Sequence, residues 1–186
     1  MKAILGKKIG MTTLYDAEKG ALNVTLVQCV PNRVSLVRTQ ERDGYVAFQL
    51  ETNKTAKKAV RKEFRVAGDL PEEGVEVTVE QFVTGDIVKV IGKTKAKGFQ
   101  GVVKRHGFAG GPATHGHRHA LRQAGSIGSA YPQHVRKGKR MAGRMGGAQN
   151  TTKGLEIVSV DVESGVIAVK GAVPGVNGRI VAIVKD

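Results

Sequence analysis

From residue 87 to residue 155 the chain contains no aspartate and no glutamate. A stretch of that length cannot neutralise its own cations, so any positive charge in it must be met from outside. Aromatic residues are also scarce, at 4% of the chain with no tryptophan, which argues against a platform that stacks single-stranded bases. Cys29 is the lone cysteine, so there is no intramolecular disulfide and no cysteine-based metal site. Its place in the apolar run 24–30 predicts a buried, inert thiol. No apolar run approaches the roughly 20 residues of a membrane span. The opening MKAILGKKIGM lacks the apolar stretch of a signal peptide. These absences predict a soluble, intracellular protein.

The acid-free stretch is rich in cations. It holds Lys89, Lys93, Lys95, Lys97, Lys104, Arg105, Arg118, Arg122, Arg136, Lys137, Lys139, Arg140, Arg144 and Lys153, which are 14 of the chain's 30 Lys and Arg. All five histidines, His106, His115, His117, His119 and His134, lie there as well. The remainder has 16 residues of each sign, so the whole net charge of +14 sits in one segment. A cationic stretch attached to a neutral body calls for a large polyanion, and nucleic acid is the first candidate.

The neutral remainder, roughly 117 residues, is within single-domain size and holds most of the Val, Ile and Leu. The expected division is a discontinuous body, residues 1–91 and 154–186, and an extension, residues 92–153. In the body, the opening Gly-Lys-Lys-Ile-Gly-Met leads into a first strand. Residues 23–30, 33–39, 45–51, 75–83, 87–91, 155–161, 166–169 and 180–184 read as further short strands. They are rich in β-branched residues and separated by turn signals such as Pro31-Asn32, Arg42-Asp43-Gly44 and Pro174-Gly175. Residues 53–66, with Ala56, Val60 and Phe64 at four-residue spacing, read as a short helix. Many short strands predict a mainly β fold, closed as a barrel or stacked as a sandwich.

The extension differs in kind. Fourteen glycines lie between residues 92 and 154, and nothing there can build a core of its own. One reading is a disordered cationic linker. The interleaving of Phe99, Phe108, Ile127, Tyr131, Met141 and Met145 favours another, an arm that orders on RNA, because unconstrained linkers are simpler in composition. The block Val-Arg-Lys-Gly-Lys-Arg at 135–140 joins cations that neutralise phosphate to a glycine that lets the backbone approach closely. No recognition-helix periodicity is visible, which disfavours a major-groove reader of DNA. His115, His117 and His119 raise a metal site, but no Asp, Glu or Cys in the arm completes it and the cations repel a metal ion. Contact with RNA is the better reading of these histidines. There is no Ser, His and acid grouping, no paired carboxylates, and no phosphate loop around Gly98 or Gly107. Neither an enzyme nor a cofactor is expected.

Six segments carry a resemblance: AILGKKIGMT at 3–12, KAKGFQGVVKR at 95–105 followed by HGF, ATHG at 113–116, GSIG at 125–128, KGKRMAGRMG at 137–146 and VKGAVPG at 169–175. In this order, and from residue 3 to about 184, the chain resembles the bacterial-type large-subunit ribosomal protein L3 family. The resemblance implies a closed six-stranded translation-protein-type β-barrel with a short helix and a long irregular basic extension. It implies a structural constituent of the large ribosomal subunit in the bacterial or organellar type of ribosome. Such a protein binds large-subunit rRNA directly near its 3′ end and helps to nucleate subunit assembly, beside neighbouring large-subunit proteins.

The residues expected to meet rRNA are Lys93, Lys95, Lys97, Lys104, Arg105, His106, His115, His117, Arg118, His119, Arg122, Arg136, Lys137, Lys139, Arg140 and Arg144. The extension is expected to reach toward the peptidyl transferase centre, with its tip at Ser129, Ala130, Tyr131, Pro132, Gln133 and His134. Some members carry a methylated glutamine at the tip in a Gly-Gln-Asn-Gln-Thr-Pro-like stretch. That stretch has no clear counterpart here, so the modification is not carried over to Gln133. The alternatives are a generic cationic RNA chaperone and a membrane-surface binder, although the arm lacks the amphipathic periodicity that a membrane favours. A metallo-enzyme built on the histidines ranks below both.

Overall fold

A computed structural model describes residues 1–55, 58–66, 68, 70–131 and 133–185, with the backbone alone at 54 and 55. The strands are β1 (Lys2–Asp16), β2 (Gly20–Gln28), β3 (Asn32–Arg38), β4 (Ala47–Thr55), β5 (Lys58–Arg65), β6 (Glu76–Val77), β7 (Ile87–Lys93), β8 (Phe99–Gln100), β9 (Gly143–Arg144), β10 (Gln149–Asp161), β11 (Val166–Lys170) and β12 (Ile180–Lys185). Two short helices, α1 (Gln40–Asp43) and α2 (Val102–His106), and a 3-10 turn at Val79–Gln81 complete the elements. The chain divides into two compact units, Met1–Thr94 with Gln149–Asp186, and Lys95–Ala148. Among the described residues no helix is long and apolar enough to cross a membrane.

In the first unit six strands pair in a ring, in the order β1-β12-β7-β10-β11-β2, and the last returns to the first. Every neighbouring pair is antiparallel. Ile4, Val27, Val88, Val90, Ile157, Ile167, Val169, Val181 and Ile183 share one core. The alternate residues of β1 and β12, Ala3, Leu5, Ala182 and Val184, share a second core with Val34, Phe48, Leu50 and Phe64 from the β5-β4-β3-β6 sheet. Burial on both faces is why β12 reads as a continuous apolar run.

Asn32, Lys8 and Cys29 are buried inside this body. Asn32 accepts from the Leu5 amide at 2.8 Å and donates to the Leu5 and Val30 carbonyls at 3.0 and 2.6 Å. Lys8, also buried, donates its ammonium to the carbonyls of Val173 at 2.8 Å and Gly175 at 3.3 Å. Burial pushes the Cys29 thiol up to about 12. Gly6 has no room for a side chain, since a Cβ there would lie 2.5 Å from both Cys29 Sγ and Val27 Cγ1.

Two sequence expectations are corrected. Residues 53–66 do not form a helix: β4 runs to Thr55 and β5 spans Lys58–Arg65, paired antiparallel. Four-residue spacing is also two strand periods, so Val60 and Phe64 share a strand face as readily as a helix face; Ala56 lies outside the described residues. Phe64 faces Phe48 across the pair, with ring centroids 5.7 Å apart. Residues 75–83 do not form one strand either. After the two residues of β6 the chain turns, and Val79 and Phe82, three apart and both buried, follow the 3-10 period.

Replacing Asn32 by Leu leaves the Leu5 amide and carbonyl buried without partners. The expected loss is about 2–5 kcal/mol of stability, read from the urea midpoint. With its thiolate suppressed, Cys29 should resist iodoacetamide at pH 8 in the native protein and react promptly in guanidinium.

Candidate nucleic-acid interface

The second unit is built from backbone more than from side chains. Among its described residues Val102 is the one buried apolar side chain. At its base β8 and β9 pair Phe99 with Arg144 and Gln100 with Gly143. The pairing extends outward through Lys97 N–H to the Met145 carbonyl and Met145 N–H to the Gly98 carbonyl, both 2.9 Å. Gly146, at φ +70°, closes this ladder, and a Cβ there would collide with the Lys95 carbonyl. The short α2 ends at Gly107, whose N–H donates to Val103 at 3.0 Å. Further along, the Gly111 amide donates to the Leu121 carbonyl at 3.1 Å.

With so little packing, the cations stay on the surface. Lys95, Lys97, Lys104, His115, His117, Arg118, His119, Arg122, Arg136, Lys137, Lys139, Arg140 and Arg144 are all exposed. Arg105 and His106 are half-buried, and both turn to the Met141 carbonyl, at 2.6 and 3.1 Å. They hold the arm to itself, which sets them apart from the exposed cations. Lys93 is exposed but belongs to the first unit, opposite Gln149 at the end of β7. Residues 92–93 and 149–153, counted with the extension for their charge and glycine, are strand residues of the body.

At the tip Ser129, Ala130, Tyr131, Gln133 and His134 are exposed, Tyr131 at 80%; Pro132 lies outside the described residues. Gln133 takes a left-handed φ of 60°. Ile127, Tyr131, His134, Arg136 and Lys139 line a shallow depression beside it. His115, His117 and His119 do not converge: among the described residues no three His, Cys, Asp or Glu side chains come together as metal ligands.

One group of cations is assembled only by folding. Lys89, Lys153 and Lys185, from β7, β10 and β12, line one depression of the body. Lys185 also pairs with Asp86 at 2.5 Å and holds that carboxyl below its ordinary range. Nothing in the linear sequence links Lys185 to the other two, because their neighbourhood follows from the ring order.

The model of the family described as ribosomal protein L3 matches residues 7–186. The chain belongs to the ribosomal protein L3 family. It is 46% identical to the large ribosomal subunit protein uL3 of Chlorobaculum parvum, over 99% of this chain and 98% of the relative. It is 47% identical to uL3 of Chlorobium phaeobacteroides, over 100% and 99%, and 45% identical to uL3 of Streptococcus pyogenes, over 98% and 95%. The L3 family is structural and not enzymatic. The L3-like segment 95–105 supplies β8 and all but the last residue of α2, and the segment 137–146 supplies β9 and Gly146.

In the free protein, limited trypsin digestion should cut within Lys95–Arg144 before it cuts the ring strands, since opening the arm exposes little apolar surface. Gly146→Val should speed that cut and leave the urea midpoint of the body unchanged. An arm as resistant as the ring would contradict this reading.

Proposed function

We propose that this chain is a structural constituent of the large ribosomal subunit. It binds large-subunit rRNA directly near the 3′ end, takes part in nucleating subunit assembly, and extends its arm toward the peptidyl transferase centre. The ring of six strands is, on this reading, the closed translation-protein-type barrel of the family. Its relatives bear the name large ribosomal subunit protein and come from bacteria, which supports a cytoplasmic, bacterial-type ribosome with other large-subunit proteins as neighbours.

The observation that carries the proposal is a unit with no carboxylate and fourteen exposed Lys, Arg and His side chains among its described residues. Such a surface is stable only against a dense polyanion. Each cation that meets a phosphate releases condensed counterions, and glycine lets the backbone follow the RNA closely. Fixing the arm costs on the order of 1 kcal/mol per residue, which phosphate contacts must offset. The tip touches no reacting group; it acts by supporting the rRNA conformation around it.

The test is salt-dependent binding of the full chain to large-subunit rRNA fragments, with an unrelated structured RNA of equal length as competitor. Tight binding to one fragment that survives competition is expected, and equal affinity for both RNAs would leave a generic cationic RNA chaperone. Replacing Arg136, Lys137, Lys139 and Arg140 together by Ala should flatten the plot of log K against log salt by about three units, at roughly 0.7–0.9 per phosphate contact. An unchanged slope would remove these four residues from the interface.

A further inference from the structure

The RNA reading leaves one groove of the first unit unused. It lies where residues 29–31, the 3-10 turn and the β10–β11 turn meet, and it is walled by Val30, Pro31, Val79 and Val162 with Glu80 and Glu163. None of its ten lining residues is Lys, Arg or His, in a chain whose net charge is +14. Val30 and Val162 are 54% and 51% exposed.

The exposed valines are held in place. The Asp161 carboxylate accepts from the Ser164 amide at 3.2 Å and hydroxyl at 2.5 Å. The Gly165 amide donates to the Val162 carbonyl at 3.3 Å, and the Gly165 carbonyl accepts from Cys29 N–H at 2.7 Å. The apolar wall is therefore ordered before any partner arrives, which lowers the cost of binding. Among the described residues Glu80 and Glu163 form no ion pair, as is true of Glu18, Glu41, Glu72, Glu73 and Glu76, whereas Asp43, Glu51, Glu63, Asp86 and Glu156 do.

We propose that this groove docks a cationic, aliphatic segment of another protein, with Val, Leu or Pro side chains on Val30 and Val162 and Lys or Arg facing Glu80 and Glu163. Two unpaired carboxylates repel phosphate, so RNA is the partner the groove excludes, while an extended basic tail satisfies its walls and its charge together. This inference does not depend on where the arm binds, and either can fail alone.

The probe is the synthetic peptide Lys-Val-Lys-Pro-Val-Lys, amidated at its C-terminus, titrated into full-length protein and followed by valine methyl NMR. The Val30 and Val162 signals should shift and saturate. Val162→Ser, and separately Glu80→Gln with Glu163→Gln, should each weaken binding roughly tenfold with the melting temperature unchanged. The counterpart Glu-Val-Glu-Pro-Val-Glu should leave the signals in place. Unmoved methyls, equal binding by the charge-neutral variant, or equal binding of the acidic peptide would overturn the proposal. Shifts induced by an rRNA fragment, or by protein concentration alone, would overturn it in favour of RNA or a second copy of the chain.

Discussion

Because β1 pairs with β12 over Lys2–Lys7 and with β2 over the rest of its length, the ring is closed by one strand that changes partner. The change falls at a slip between Lys8 and Gly10, a bulge that lets one strand turn from one neighbour to the next. The demanding contacts of the body cluster there. Gly6 yields its space to Cys29 and Val27, and Asn32 takes up the Leu5 amide and carbonyl. Lys8 reaches the carbonyls at 173 and 175, while its own backbone bonds to Gly178 and Arg179. Two L3-like segments at opposite ends of the sequence, 3–12 and 169–175, are thus joined by a buried ammonium on peptide carbonyls. This lysine is committed to the fold.

The opposite economy governs residues 95–148. There, neither apolar burial nor ion pairing is on offer, and what order exists comes from backbone hydrogen bonds that glycine makes possible. Arg105 and His106 are turned inward onto a single carbonyl. The segment supplies no carboxylate to its exposed Lys and Arg, and their mutual repulsion opposes compaction until a polyanion is present. Weak internal cohesion and strong affinity for phosphate are then two consequences of one composition.

Much of this was legible from the chain. The strand from residue 180 was plain because burial on both faces writes an unbroken apolar run, and the strand from residue 87 because β-branched residues flank Lys89. The arm was plain because charge and glycine are compositional and need no fold to be seen. The hairpin of β4 and β5 was not, because Val60 and Phe64 satisfy helical and strand periods alike. The 3-10 turn was hidden for a related reason: Val75, Val77, Val79 and Val83 mimic alternation, and the spacing from Val79 to Phe82 that decides the matter is a single interval. Groups assembled across the ring were beyond reach. Lys89, Lys153 and Lys185 come from three strands, and the groove at Val30 and Val162 from segments about 130 residues apart.

Segregating charge in this way also divides the modes of recognition. Spread evenly, a net charge of +14 would let any face of the protein adhere to any RNA, with little to fix its register. Gathered into one stretch of the chain, it gives attraction that is strong, long in range at low salt and indifferent to sequence. The body, closer to balance with 19 Lys and Arg against 16 carboxylates, is drawn to phosphate less strongly. On the proposed reading its placement rests on contacts of limited extent, such as the depression that Lys89, Lys153 and Lys185 line with Asp86. By the same proposal, an apolar groove rimmed by glutamates is the surface that RNA avoids and that another protein can take.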